Sequence, residues 1–493
     1  MTFMNDNGST SKLTLLDGLI CAFLALPLLL FCAWFKWPVA IGFAVLLVFG
    51  FHKALAGAWR GGFEVRTGVV VAIGVVALAW TALAGVGHFF YANADWVTRD
   101  AVLRDLTATA WPPQYLSDGD FPLILRAPVG FYLPAAAAGS VLGLQAADLL
   151  LYLWTAIGFA LFLCATTTLF PTDRQRFVAC GLMIAFGGLD IVGFAVFQGS
   201  LPPLGQHIEW WAQFVQYSSN STLMFWVPNH ALPAWLGIVL VLRHWRQPEL
   251  ARITPLLAAA IPLWSPLSAV GLAPFFIAAL DWRRDGRQLF SIRCGLPFIA
   301  IGLVIARYIT MDTQSLPHGW AIDAFRRPAD FWLFYSAFCL LEFGLLALVL
   351  VPLRAFDRRL GIALVILLLL PFYRFGPGND LPMRSSIPAL VVLAFATVRP
   401  LADGGRSVWR YALMAVLGVG AIGAAQEPER AFLLPRWALT GQTLGEISQK
   451  GPRGYLGLLP TNYVGNLNHP GIAMLMRAPS MVQPYAARPD SAH

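Results

Sequence analysis

Between residues 13 and 425 the chain is a succession of apolar runs separated by short loops, and that pattern leaves it one solvent to fold in. A helix needs about 20 apolar residues to cross the hydrocarbon of a bilayer. Runs at 13–33, 38–56, 67–90, 147–170, 177–197, 227–242, 253–263, 266–279, 292–308, 331–351, 360–372, 385–398 and 411–425 predict about 13 spans. Charged residues make up only 12% of the chain, where a soluble domain carries about 25%. So few charges cannot cover a water-exposed surface. The expected fold is an all-α polytopic membrane protein, because a helix satisfies its own backbone polar groups in lipid. The runs 253–263 and 266–279 are short for two full crossings at about 1.5 Å per residue. Pro262 and Pro266 interrupt them, as they would a hairpin or two half-helices.

Loop charge orients the spans. The loops bearing Lys53, Arg60 and Arg66, then Arg174 and Arg176, then Arg243, Arg246 and Arg252, all fall on one face. So do the loops bearing Arg283, Arg284, Arg287 and Arg293, then Arg354, Arg358 and Arg359, then Arg399, Arg406 and Arg410. Positive loops stay cytoplasmic, which places the amino terminus inside and the carboxyl terminus outside. These arginines also account for the net charge of +8 without a nucleic-acid partner. The count requires that 127–144, with Pro128 and Pro134, lies as helices in the outer interface. The run 13–33 is longer than a signal-peptide core and reads as a retained anchor. The expected layout is a transmembrane domain over 1–425, with an external loop at 91–146, and an external tail over 426–493 that packs over the other outer loops. The six cysteines lie in or beside apolar runs, with no CxxC pair, and read as small apolar residues.

Polar chemistry is concentrated outside. The stretch 91–126 carries Asp95, Asp100, Asp105, Asp118 and Asp120, interleaved with Arg99, Arg104 and Arg126. Asp95 follows an apolar run by five residues and adjoins Trp96. It is either a solvated helix cap or a general base within reach of a membrane-embedded pocket. Asp100 and Asp105, each preceded by an arginine, are ion-paired members of an amphipathic helix or alternative positions for that base. SDGD, around Asp118 and Asp120, has turn chemistry and only a weak likeness to a metal loop. In FYRFGPGNDLPMR, Arg374, Asn379, Asp380 and Arg384 gather around three turn residues at the mouth of a span. An arginine so close to hydrocarbon needs a partner. A phosphate fits its planar fork of donors, and snorkelling to headgroups is the alternative. Asn229 and His230 enter a span between Pro228 and Pro233 and could line a site. His318, in LPHGW, is a weaker candidate, and Arg126 opens the interfacial helices. No HExxH, Walker loop, GxSxG or nucleotide-binding domain is present. No cofactor and no metal ligand is expected, and any metal requirement stays open.

The many spans, the long external loop, ADWVTRD (94–100) and the aromatic-rich APVGFYLPA (127–135) together resemble the GT-C superfamily of membrane glycosyltransferases. The chain differs from the family pattern in having two further spans before that loop. The resemblance implies transfer of a sugar from a polyprenyl-phosphate donor to a glycan, lipid or protein acceptor on the outer face of a membrane, such as a bacterial inner membrane. It implies an inverting mechanism with Asp95, Asp100 or Asp105 as the base. Arg384, Arg374 and Arg126 would hold the donor phosphate, and Asn229, His230, Asn379, Asp380 and His318 would contact substrate. Two alternatives use the same arginines: a flippase for a lipid-linked sugar, which needs polar residues deep in the spans, and an outward-facing polymerase or ligase.

Overall fold

The computed structural model describes residues 12–115, 122–403, 405–450, 459, 462–467 and 471–483. It is mostly helical, and six of the described helices are long and apolar enough to cross a membrane: Leu15–Trp34, Trp37–Ala54, Leu144–Thr168, Asp173–Gln198, Pro328–Leu350 and Val408–Leu433. Helix starts follow local chemistry. Thr14 and Asp17 form a capping box, while Thr172, Ser219, Ser265, Asp357 and Ser407 each accept a bond from a first-turn amide. Pro228, Pro248 and Pro266 open their helices, where a missing N–H costs nothing.

One of those starts relocates an expected break. Pro262 stays inside the helix Pro248–Trp264, and the chain turns instead at Ser265, which caps Pro266–Ala279. The two helices form a hairpin. At its open end the Arg246 amide bonds the Ala279 carbonyl. At its tip Ser265 Oγ lies 2.7 Å from His230 Nδ1, at the start of helix Pro228–Arg243. The fourteen residues of the return helix span about 21 Å, close to the length of the helix they accompany.

The arginine-bearing loops meet at one end of the molecule. Arg243 pairs with Asp17 at 2.8 Å and with Glu64, and Arg252 donates to the Ala56 carbonyl. Arg284 donates to the Arg246 carbonyl, and the Arg359 guanidinium sits over the Trp245 ring. Each of these bonds ties together loops far apart in sequence.

The opposite end departs from an all-helical plan. Six short strands occur among the described residues: β1 Pro113–Tyr115, β2 Leu123–Leu125, β3 His318–Trp320, β4 Tyr373–Phe375, β5 Val464–Asn466 and β6 Ser480–Met481. They form a four-stranded sheet in the order β5-β2-β1-β6 and a β3-β4 pair. Two strands of the larger sheet come from the first loop and two from the C-terminal segment. The anticipated boundary at residue 425 falls inside a helix, because Val408–Leu433 runs on past it. Beyond it, Trp437 Nε1 donates to the Ala92 carbonyl, and the Leu444 amide to Asp105. The Lys36 amide bonds the Leu475 carbonyl. The C-terminal segment thus lies across the first loop.

Candidate functional site

A cavity of about 760 Å³ opens at this second end. Six of the residues singled out by sequence line it: Asp95, Arg126, Asn229, His230, Asp380 and Arg384. The helix Asp95–Ala108 supplies the first. Its amide end is tied by Asn93, whose side-chain oxygen accepts from the Asp95 N–H at 3.0 Å. The capping role therefore belongs to Asn93, and the Asp95 carboxylate turns to Arg99, Nη2 to Oδ2 at 3.3 Å. The Asp95 side chain keeps 44% of its exposure, on the cavity wall.

Arg384 comes from the other half of the chain. Gly376 (φ +89°) and Asn379 (φ +54°) turn the backbone into the short helix Asp380–Ser385, so that Asp380 Oδ1 lies 3.5 Å from Arg384 Nη2. Burial pushes the Asp380 carboxyl above its ordinary value, and the Arg384 charge opposes the rise. Burial likewise lowers Arg384, against the pull of Asp380 and Asp95. Arg99, 5% exposed, stacks on Trp96. Its Nε and Nη1, and Nε of Arg384, are buried with no hydrogen-bond partner among the described residues. A buried donor left unsatisfied costs about 1–3 kcal/mol. Two guanidiniums on one cavity lining, each with an orphaned N–H, suit an anion. Arg99 reads in sequence as an ion-pair partner of the aspartates; its place on the cavity wall is a finding of the fold.

Gly376 is fixed by this arrangement. Its φ is one that L side chains avoid, and a Cβ there would lie 2.2 Å from Asp380 Oδ2. Gly376→Ala is expected to cost about 1–3 kcal/mol and to lower the melting temperature in detergent. Gly378→Ala, whose added methyl would meet only Met383 Cε at 3.5 Å, is expected to melt unchanged.

Another part of the cavity lining is aromatic. The Trp226 ring is held between His207 at 4.9 Å and the Arg430 guanidinium at 5.2 Å. Its Nε1 and Asn229 Oδ1 are buried without hydrogen-bond partners among the described residues. Behind them the buried Glu209 fixes Gln216 at 2.9 Å and Thr222 at 2.5 Å. An unsatisfied donor and acceptor beside a rigid indole suit a polyhydroxylated group. Of this wall the sequence marks Asn229 alone; Trp226 and Thr222 come from the short helix Asn220–Trp226, and His207, Glu209 and Gln216 from irregular backbone.

The remaining candidates do other things. Asp100 meets His88 Nε2 at 3.0 Å, and His88 Nδ1 meets Asp148 at 3.1 Å. Among the described residues this trio is the one group of His and carboxylates close enough to hold a metal. Both ring nitrogens already face carboxylates, which makes it a clamp between the loop helix and Leu144–Thr168. Asp105 accepts from Tyr115 Oη at 2.9 Å and from the Leu444 amide at 3.0 Å, and contacts Arg104. Burial pushes both carboxyls up, to about 6. Neither lines the cavity; Asp105 is paired with Arg104 as its ion-pair reading expects, Asp100 with His88 instead of Arg99, and both are buried. Arg374, Asn379 and His318 line an adjoining cavity of about 150 Å³ across the 376–378 backbone. The Asn379 side chain fastens that turn, donating to the Phe214 carbonyl at 2.7 Å and accepting from the Phe375 amide at 3.3 Å. His318 Nδ1 bonds the Leu316 carbonyl. Arg126 lines the main cavity but commits Nε to the Val464 carbonyl and Nη1 to the Ile309 carbonyl, a poor start for a phosphate ligand. Asp118 and Asp120 lie outside the described residues. Deep in the helices, Asp190 and Glu342 lie side by side, with Trp211 Nε1 donating to Glu342 Oε1 at 3.0 Å. Neither lines the cavity.

Comparison with protein-family models, with curated proteins and with solved structures gave no match to this chain.

Proposed function

We propose that the protein is a GT-C-like glycosyltransferase that moves a sugar from a polyprenyl-phosphate donor to an acceptor hydroxyl on the outer face of the membrane. The observation that carries this reading is the sharing of one cavity wall by the Asp95 carboxylate and the orphaned donors of Arg99 and Arg384. The Trp226 indole and Asn229 on the same lining, each with an unsatisfied polar atom, suit a glycosyl group. In the reaction, Asp95 takes the proton of the acceptor hydroxyl as its oxygen attacks the anomeric carbon. The bond from that carbon to the phosphate oxygen breaks, and its electron pair leaves with the lipid phosphate. Arg99 and Arg384 stabilise the charge gathering there, and configuration at the carbon inverts. The chain would lie in a membrane such as the bacterial inner membrane with about 13 spans, its arginine-rich end in the cytoplasm and its cavity outside.

Mass spectrometry of glycolipids and surface glycans, with and without the protein, tests the activity. Loss of one glycosylated product with accumulation of its lipid-phosphate donor is the expected result, and identical profiles would sink the proposal. Topology has its own check. Reporter fusions after Arg246 and Arg287 should read cytoplasmic, and a fusion at the carboxyl terminus external. An external signal at Arg287 would overturn the orientation. Asp190 and Glu342 are the observation that favours a flippase, which moves a polar headgroup through the spans. Their separation from the cavity lining sets that reading second.

A further inference from the structure

The cavity wall is completed by a part of the chain remote from the rest of it. Asn462 and Tyr463, from the C-terminal segment, stand on the same lining as Asp95, Arg99 and Arg384. Tyr463 lies within electrostatic reach of both guanidiniums and of the Tyr132 hydroxyl. Its backbone is built in. The Arg126 amide bonds the Tyr463 carbonyl at 2.7 Å, Arg126 Nε bonds the Val464 carbonyl at 3.2 Å, and Nη1 bonds the Ile309 carbonyl at 2.9 Å. Val464 then pairs with Leu125 across the β2-β5 ladder. A Cβ at Gly465 would come within 3.0 Å of Arg126 Cδ, so the strand and the arginine are in close contact. Beside Tyr463, Asn462 Oδ1 is buried with no hydrogen-bond partner among the described residues. An acceptor left so at a cavity wall is one that a bound hydroxyl would satisfy.

We infer that Tyr463 is a ligand contact of this site, its hydroxyl donating to an oxygen of the donor's phosphate, and that Arg126 is the positioning residue that holds it there. The inference rests on the anion-binding reading of the cavity given above. It assigns Arg126 a place in the site without a bond to phosphate. A phenol complements two guanidiniums here because it adds a donor without adding charge to a wall where Asp95 and Asp380 already balance Arg99 and Arg384.

The test uses the full chain in detergent and a polyprenyl phosphate without sugar as the probe, with affinity read from thermal stabilisation. Tyr463→Phe removes one O–H and nothing else. Loss of a hydrogen bond to a charged group should lower affinity by about tenfold or more, over and above any change in the unliganded melting temperature. Arg126→Ala should weaken binding in the natural background and add little in the Tyr463→Phe background, since residues that act through one another are not additive. A merely structural arginine would lower affinity equally in both. Unchanged affinity in Tyr463→Phe, with the unaltered protein binding normally, overturns the inference and leaves the anion reading standing. Full additivity overturns the link to Arg126. No stabilisation of the unaltered protein overturns both readings. If Arg126→Ala does not fold, the Tyr463→Phe arm decides alone.

Discussion

Asp95→Asn is expected to reduce sugar transfer by at least about 100-fold, the lower end of what a general base contributes, while binding of the lipid-phosphate donor is largely kept. Asparagine matches aspartate in size and retains a hydrogen-bonding oxygen, but it cannot accept the proton of the attacking hydroxyl at neutral pH. Arg99 would lose its charged partner and keep a neutral one, so the wall should stand. The cap explanation predicts the opposite. Asparagine caps a helix about as well as aspartate, and Asn93 already fills that role, so a silent variant would mean that the carboxylate does nothing but balance Arg99. Asp100→Asn and Asp105→Asn are the controls. Each sits behind the wall, bonded to His88 or to Leu444, and each is expected to alter melting temperature while leaving the chemical step in place. Loss of turnover in either with normal stability would move the base to that position.

Arg384→Ala is expected to weaken donor binding by about 10- to 150-fold, the equivalent of about 1.5–3 kcal/mol for a hydrogen bond to a charged group. It also takes from the partly buried Asp380 its Arg384 partner, so a fall in melting temperature should accompany it. Arg384→Lys separates the two effects. Lysine restores the charge for Asp380 but not the planar fork, so stability should recover while affinity stays intermediate. Titration with the sugar-free lipid phosphate gives both quantities. Equal affinity in all three proteins would return Arg384 to a headgroup contact and remove the phosphate from this end of the cavity.

What the sequence reveals here follows the range of the interactions. Helices are local, and the apolar runs announce them. Even the hairpin is readable from two prolines, although its turn falls at Ser265, which caps the return helix. The aspartates of the first loop were open to a sharper reading. Residues five apart on a helix stand about 140° apart around its axis, so Asp100 cannot share a face with Asp95 or Asp105. Asp95 and Asp105 stand about 80° apart and about 15 Å along the axis, and it is the packing of Tyr115 and Leu444 on Asp105 that takes it out of the cavity. Asn229 and His230 were visible because polar residues at the mouth of an apolar run are conspicuous. Arg99 was visible as an ion-pair partner of the aspartates, and it does pair with Asp95; its two orphaned donors on the cavity lining carry no signal in sequence. Tyr463 and Trp226 carry no signal at all. Strands of three residues show no period, and the bond that places Tyr463 joins positions hundreds of residues apart.

That distance also sets a timetable for the nascent chain. β2 emerges with its neighbour β1 and can pair with it at once, but its other edge waits for β5. The bond from Arg126 to Val464 spans 338 residues, which at about 5–20 residues per second takes roughly 17–70 s to synthesise. During that interval the helices between them are made, while a strand edge stays unpaired and the pocket half-built. Closure of so long a loop is slow, and it comes only after the last helix is in place. A nascent chain stalled anywhere before residue 463 would therefore lack β5 and the Asn462 and Tyr463 part of the cavity lining.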